Sequence, residues 1–300
     1  MKLGIIYAGQ GSQVVGMGKS FYPREIFDQN EDLKELCFNG PLEKLSYTPY
    51  TQPCMVMVAT IITDLLKEHG IVPDYTAGLS LGEYSALYCA GVFERKQVID
   101  LARFRGKVMQ EAVSGIESEM IAVLGMKEEL LQDLCHQASS LGVVSISNYN
   151  CPGQLVDAGE KKAVENVKEL ALENKARRVI SLNTSGPFHT SLLKEASLAL
   201  KERFKKETFH EMKIPVIFNT LGHEIEDQSI PEILEKQVMS PVYFEKSIRY
   251  MIDQGVDTII EVGPGKVLSG FVRKIDRSIQ LYQIEDMESL KKTVKALKGE

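Results

Sequence analysis

Apolar positions along the chain follow two rhythms, short unbroken runs and longer stretches spaced at three and four residues. Leu3 to Ala8 is a run that stops at Gly9-Gln10-Gly11, which predicts a buried strand feeding a loop. Gln52 to Gly70 has helical length and composition, with Pro53 near its start and Gly70 placed to end it. "PDYTAGLS" predicts a brief strand and "LGEYSALYCAG" a small-residue helix closed by Gly91. Glu94 to Val113 predicts a longer helix, with Val98, Leu101, Ala102, Val108, Met109 and Ala112 in a broken apolar stripe.

In the middle the runs shorten and alternate. "MIAVLGM", "KEELLQDLCHQASSL", "VVSISNYN", "QLVDAG", "EKKAVENVKELALENK" and "ARRVISL" predict strand, helix, strand, strand, helix and strand over Met120 to Leu182. That is the order of a ferredoxin-like unit. A helical pattern resumes at Ser191 to Lys206, "IPVIFNT" and "DTIIEVG" predict further strands, and "KVLSGFVRKI" and "MESLKKTVKALK" further helices. The simplest organisation is a large α/β domain, residues 1–117 and 187–300, interrupted by a small α/β insert, residues 118–186.

Composition narrows the class. Three hundred residues with 44% hydrophobic content can bury a large core. A net charge of −6 argues against a general nucleic-acid binder. The five cysteines are scattered without a Cys-x-x-Cys, which predicts a reduced, cytoplasmic chain with neither a disulfide framework nor a structural metal. No stretch is long and apolar enough to span a bilayer, and the opening "MKLGIIYAGQGSQ" reads as a first buried strand rather than a signal peptide.

Within this frame one pattern suggests chemistry. Gly78-Leu79-Ser80-Leu81-Gly82 is a Gly-x-Ser-x-Gly between a predicted strand and a predicted helix. A tight strand-to-helix turn needs small neighbours and leaves the hydroxyl exposed where backbone N–H groups can stabilise an oxyanion. The pattern alone is weak, since about one chain in ten of this size carries it by chance. A nucleophilic serine also needs a base, to be found among His69, His136, His189, His210 and His223. His189, in "NTSGPFHTS", follows a Gly-Pro turn just before a helix, a place from which side chains are presented to a cleft; a satisfied loop histidine is the alternative. Arg105 is a third candidate, although most helical arginines only solvate a face. "GQGSQ" (Gly9 to Gln13) is either a plain turn or a backbone nest for an anion. "EVGPGKVLSG" lacks the spacing of a phosphate loop.

Taken together and in order, "YAGQGSQVVGMG", "GLSLGEYSAL", "RGKVMQEA", "NYNCPGQLV", "SGPFHTSLL", "EKQVMSPVYFEKSI" and "EVGPGKVLSGF" closely resemble the malonyl-CoA:acyl carrier protein transacylases nearly from end to end. The resemblance implies a hydrolase-like α/β large domain with an inserted ferredoxin-like α+β subdomain and an active site in the gorge between them. It makes Ser80 the nucleophile and His189 its base, with the main-chain carbonyl of Gln237 orienting the imidazole. The backbone N–H groups of Gln10 and Leu81 become the oxyanion hole, and Arg105 the group that holds the free malonyl carboxylate. It further implies ping-pong transfer from malonyl-CoA to an acyl carrier protein, in fatty acid synthesis or as a stand-alone polyketide acyltransferase. The resemblance implies that no cofactor or metal is required, and the chain is expected to be a monomer without nucleic-acid or membrane partners.

Two positions depart from the family pattern. Leu79 stands where malonyl-type members usually have histidine, which marks it, with the ring of Phe188, for acyl selectivity. Ser118-Glu119-Met120 replaces a small-residue run, so Glu119 faces either the gorge or solvent. A carrier protein of this kind is acidic, and "NKARR" (Asn174 to Arg178) and "KERFKK" (Lys201 to Lys206) are candidate docking patches. A serine hydrolase and a scaffold with a retired site are the rival readings. The first runs Ser, then Asp or Glu, then a late His. The second predicts loss of Ser80, His189 or Arg105.

Overall fold

A computed structural model describes residues 1–299. Nine strands run β1 Leu3–Tyr7, β2 Tyr75–Gly78, β3 Ser118–Leu124, β4 Val144–Cys151, β5 Gln154–Glu160, β6 Arg178–Ser181, β7 Val216–Ile217, β8 Thr258–Val262 and β9 Gln280–Ile284. They form two sheets. The larger has the order β7-β2-β1-β8-β9 with every pair parallel. A parallel sheet is covered on both faces, so its strands read as unbroken apolar runs, and β1 is buried at every position. Leu3, Ile5 and Tyr7 join the core cluster shared with the long helix Thr48–Glu68. Ile6, Ala77, Ile217 and Ile259 join the other, with the helices Phe244–Asp253 and Val267–Ile275.

The smaller sheet is antiparallel in the order β4-β5-β3-β6, the ferredoxin-like arrangement. Alternation along β3 splits its side chains between two cores. Ile121 and Val123 pack with Leu131, Leu134, Val164 and Val167 from the unit's own helices, whereas Met120 and Ala122 join the large core. Two backbone bonds of 2.9 Å, Tyr149 N–H to Val242 O and Val242 N–H to Ser147 O, tie β4 to the chain beside the large sheet. The architecture is therefore the expected one, a hydrolase-like α/β fold carrying a ferredoxin-like unit.

Details differ from the sequence pattern. The long helix begins at Thr48 with Pro49 in its first turn, so Pro53 lies inside it rather than near its start. The extra turn escaped notice because its residues are polar, yet Thr48, Thr51 and Gln52 are all buried. The strand in "IPVIFNT" shrinks to Val216–Ile217. β9 and the helices Glu25–Gln29, Glu31–Asn39, Leu42–Leu45, Ile230–Gln237 and Phe244–Asp253 had no assignment in the sequence pattern. The five cysteines are unpaired and buried. Among the described residues no helix is long and apolar enough to cross a membrane.

Candidate active site

β2 ends at Gly78 and the helix Gly82–Cys89 begins four residues later, so the chain reverses over Leu79, Ser80 and Leu81. Ser80 sits at the apex with φ of 53°, a left-handed conformation that costs a non-glycine residue about 1 kcal/mol or more. The glycines are there for space. A Cβ on Gly78 would lie 2.0 Å from the Gly82 carbonyl carbon, and one on Gly82 would lie 2.2 Å from Tyr7 O. The strained turn is held from below: Ser80 N–H donates to Asn219 Oδ1 at 2.6 Å, and the Gln237 side-chain amide donates to Ser80 O at 3.0 Å.

His189 meets this apex from the segment that follows the small sheet. Its Nε2 lies 2.7 Å from Ser80 Oγ. It too is left-handed, with φ of 64°, and is pinned by its own N–H to Val238 O at 3.0 Å. On the far side of the ring Nδ1 faces two main-chain carbonyls, Gln237 O at 2.9 Å and Ser240 O at 3.1 Å. Carbonyls only accept, so Nδ1 carries the proton and the Nε2 lone pair faces the serine hydroxyl. Burial, and secondarily the Arg105 charge, push the imidazole down to about 4, which keeps it neutral and able to take a proton at neutral pH.

Arg105 comes from the helix Arg95–Ala112 and is 1% exposed. Its guanidinium donates to Gln52 Oε1 at 3.0 Å, to Gln237 Oε1 at 2.9 Å and to Ser80 Oγ at 3.2 Å, and lies 5.4 Å from the Tyr84 ring centre. Among the described residues no carboxylate pairs with it directly. Burial lowers its affinity for the proton, which marks the cost of a charge without a direct counter-ion. Ser80 Oγ thus accepts from a cation while it donates to His189, an arrangement that favours the alkoxide.

The N–H groups of Gln10 and Leu81 have no intramolecular acceptor among the described residues, as an oxyanion site requires. The Gln10 side chain is held by Thr48, with Gln10 Nε2 donating to Oγ1 at 2.9 Å, and Thr48 in turn bonds Ser185 in the segment leading to His189. A cleft of about 670 Å³, within the range of small-molecule sites, reaches His189 between Gly142, Val144 and Glu160 of the small unit and Met239 and Pro241.

The remaining sequence candidates fall elsewhere. Phe188 is buried beside Gly186 and Val113, and Leu79 packs against the second core cluster. Glu119 accepts a bond of 2.6 Å from Ser181 Oγ on an exposed edge, and shares the helix-covered face of β3 with Ile121 and Val123. His136 and His210 lie at the surface, and His223 Nδ1 bonds Glu224 O. Gln52, Glu83 and Asn219, all buried, join the site without a motif of their own in the sequence. Glu83 stood in plain view in "GLSLGEYSAL", a charged residue in a helix with no polar face to hold it.

The chain matches the family model described as "Acyl transferase domain" over residues 5–292. It is 41% identical to a malonyl CoA-acyl carrier protein transacylase of Bacillus subtilis, covering 100% of this chain and 98% of that one. Its structure is similar to that of a malonyl CoA-acyl carrier protein transacylase from Clostridium perfringens, with a TM-score of 0.95, 41% identity and coverage of 100% and 98%. It is also similar, with a TM-score of 0.94, 34% identity and coverage of 100% of both chains, to one solved as a type II PKS acyl-carrier protein in complex with its malonyl-transacylase.

Proposed function

This chain belongs to the acyl transferase family, and we infer that it moves the malonyl group of malonyl-CoA to the phosphopantetheine thiol of an acyl carrier protein. The observation that carries the choice of acyl group is Arg105, a buried guanidinium 3.2 Å from the nucleophile with no carboxylate partner among the described residues. A malonyl group brings that partner, and a guanidinium fork binds a carboxylate bidentately.

Chemistry follows from the hydrogen bonds. His189 Nε2 takes the Ser80 proton as Oγ attacks the thioester carbonyl, and the N–H groups of Gln10 and Leu81 receive the oxyanion. Collapse breaks the carbon–sulfur bond, the imidazolium returns its proton to the departing CoA thiolate, and a malonyl-serine ester remains. The carrier thiol then gives its proton to Nε2 and attacks the ester, and Ser80 leaves reprotonated. The Gln237 carbonyl orients the imidazole throughout, while Leu79 and Phe188 bound the choice of acyl group. The route uses these side chains and backbone groups, with no bound cofactor or metal in any step.

The acceptor in this proposal belongs to fatty acid synthesis. A polyketide carrier is the second reading, favoured by the 34% likeness to the type II PKS complex. Serine hydrolysis fits less well, because the ring of His189 is held by carbonyls rather than a carboxylate. Residues 1–117 and 187–300 are taken as the large domain and 118–186 as the small subdomain, acting as a cytoplasmic monomer whose mass sedimentation equilibrium reads directly. Initial-rate kinetics test the route. Varying malonyl-CoA at several carrier-protein concentrations should give parallel double-reciprocal lines; converging lines would rule out a free acyl-enzyme.

A further inference from the structure

Glu83 lies beneath the nucleophile on the helix Gly82–Cys89 and is fully buried. Its Oε1 accepts from Gln237 Nε2 at 3.0 Å and its Oε2 from the Asn219 backbone N–H at 2.5 Å. The Asn219 N–H can only donate, and the Gln237 amide turns its NH₂ to the other oxygen, so both oxygens of the acid act as acceptors. Burial pushes this group up to about 8, against the lowering effect of the Asn219 bond, the Arg105 charge and the Gln237 bond, so the acid stays in place by its hydrogen bonds rather than by a fixed charge.

That acid dictates which way the Gln237 amide points. Its NH₂ is shared between two acceptors, Glu83 Oε1 and Ser80 O, which leaves the amide oxygen facing Arg105 at 2.9 Å. Through Asn219 the same acid reaches the elbow, since Asn219 Oδ1 accepts from Ser80 N–H and Nδ2 donates to Gly78 O at 2.6 Å. A carboxylate set directly on Arg105 would occupy the donors an acyl carboxylate needs. One intervening amide keeps the buried acid and the guanidinium in the same network while the guanidinium stays available.

Resting on the malonyl-transfer reading above, we propose that Glu83 is a positioning residue for malonyl selectivity: it fixes the Gln237 amide, and the amide oxygen aims Arg105 at the acyl carboxylate. Glu83→Gln is the direct perturbation, because it keeps the shape but offers an acceptor to only one of two donors. The Asn219 N–H is backbone and keeps the one remaining acceptor, so the new NH₂ confronts the Gln237 NH₂ and displaces that amide from its place against Ser80 O and Arg105.

The test compares two acylating agents on the full-length protein. Malonyl-CoA needs Arg105 to hold its carboxylate; phenylmethylsulfonyl fluoride carries no carboxylate and reports the reactivity of Ser80 itself. The expected result for Glu83→Gln is a loss of about tenfold or more in malonyl-CoA acylation, mainly as a raised KM, with sulfonylation slowed by less than about threefold. Glu83→Asp, which keeps the carboxyl group but shortens its reach, should show the same split in weaker form. Equal losses with both reagents, no loss, or failure of both variants to fold would overturn the positioning role. If the wild type itself is not acylated by malonyl-CoA while phenylmethylsulfonyl fluoride still labels it, the malonyl reading fails instead.

Discussion

Arg105 and His189 each turn a local geometry into a number. Removing a partner from a buried charge costs about 3–5 kcal/mol, and about 1.4 kcal/mol is a factor of ten in rate. Arg105→Ala should therefore lower malonyl acylation by roughly a hundredfold or more while leaving acetyl acylation much less affected. Rates of ester formation with malonyl-CoA and acetyl-CoA give the ratio, and an unchanged ratio would remove Arg105 from carboxylate recognition. His189 acts as a base only when neutral, and its folded value is held down near 4 by burial. The acid limb that His189 sets on the acylation rate should then lie near this lowered value. An acid limb near the ordinary histidine value of about 6.5 would mean that the imidazole is far more solvated than the structure has it. At this scale Ser80 had a spaced motif of its own, whereas the parts given to His189 and Arg105 came through the resemblance of the surrounding segments. Gln52, Glu83 and Asn219 were not legible, since a lone polar residue inside an apolar helix or after a two-residue strand leaves no periodicity to read.

Among the elements, β5 carries an anomaly. Alternation places Asp157 on the face of Leu155, toward the small unit's own core, and both of its carboxylate oxygens are buried without a hydrogen-bond partner. Burial pushes this acid up to about 7, only partly offset by the neighbouring Cys135 thiol. Between the ordinary value of 3.8 and about 7 the folded protein keeps a proton that the unfolded chain releases, so stability falls as pH rises through that window. Asp157→Asn should remove that slope and raise the melting temperature at pH 8 by several degrees, with little change at pH 4. A variant melting lower than wild type at pH 8 would contradict it. The helix Arg95–Ala112 and the other strands of both sheets were legible; β9 was not, because only Ile284 of its five residues is fully buried. The short helices between Glu25 and Leu45 pack through a few residues each and lack the length that makes a helical stripe visible.

Across the whole molecule the two sheets enclose the site, and a carrier protein must dock where its arm can enter. The two basic stretches differ in how their charges are spent. In "KERFKK" Lys201 pairs with Glu235, Arg203 with Glu207 and Lys205 with Glu202. In "NKARR" Lys175, Arg177 and Arg178 form no ion pair among the described residues, and all three are exposed. Reversing the charge of Arg177 and Arg178 should therefore slow discharge of the acyl-enzyme onto carrier protein by about tenfold, more at low salt, without changing acylation by malonyl-CoA. Equal discharge rates would discard this patch.

Intact mass spectrometry reads the central claim without any coupled assay. Brief exposure to malonyl-CoA should add one malonyl group to the wild-type protein and none to Ser80→Ala, and holo carrier protein should remove it. A protein that stays unmodified, or one whose adduct water clears as fast as it forms, would contradict transfer through Ser80.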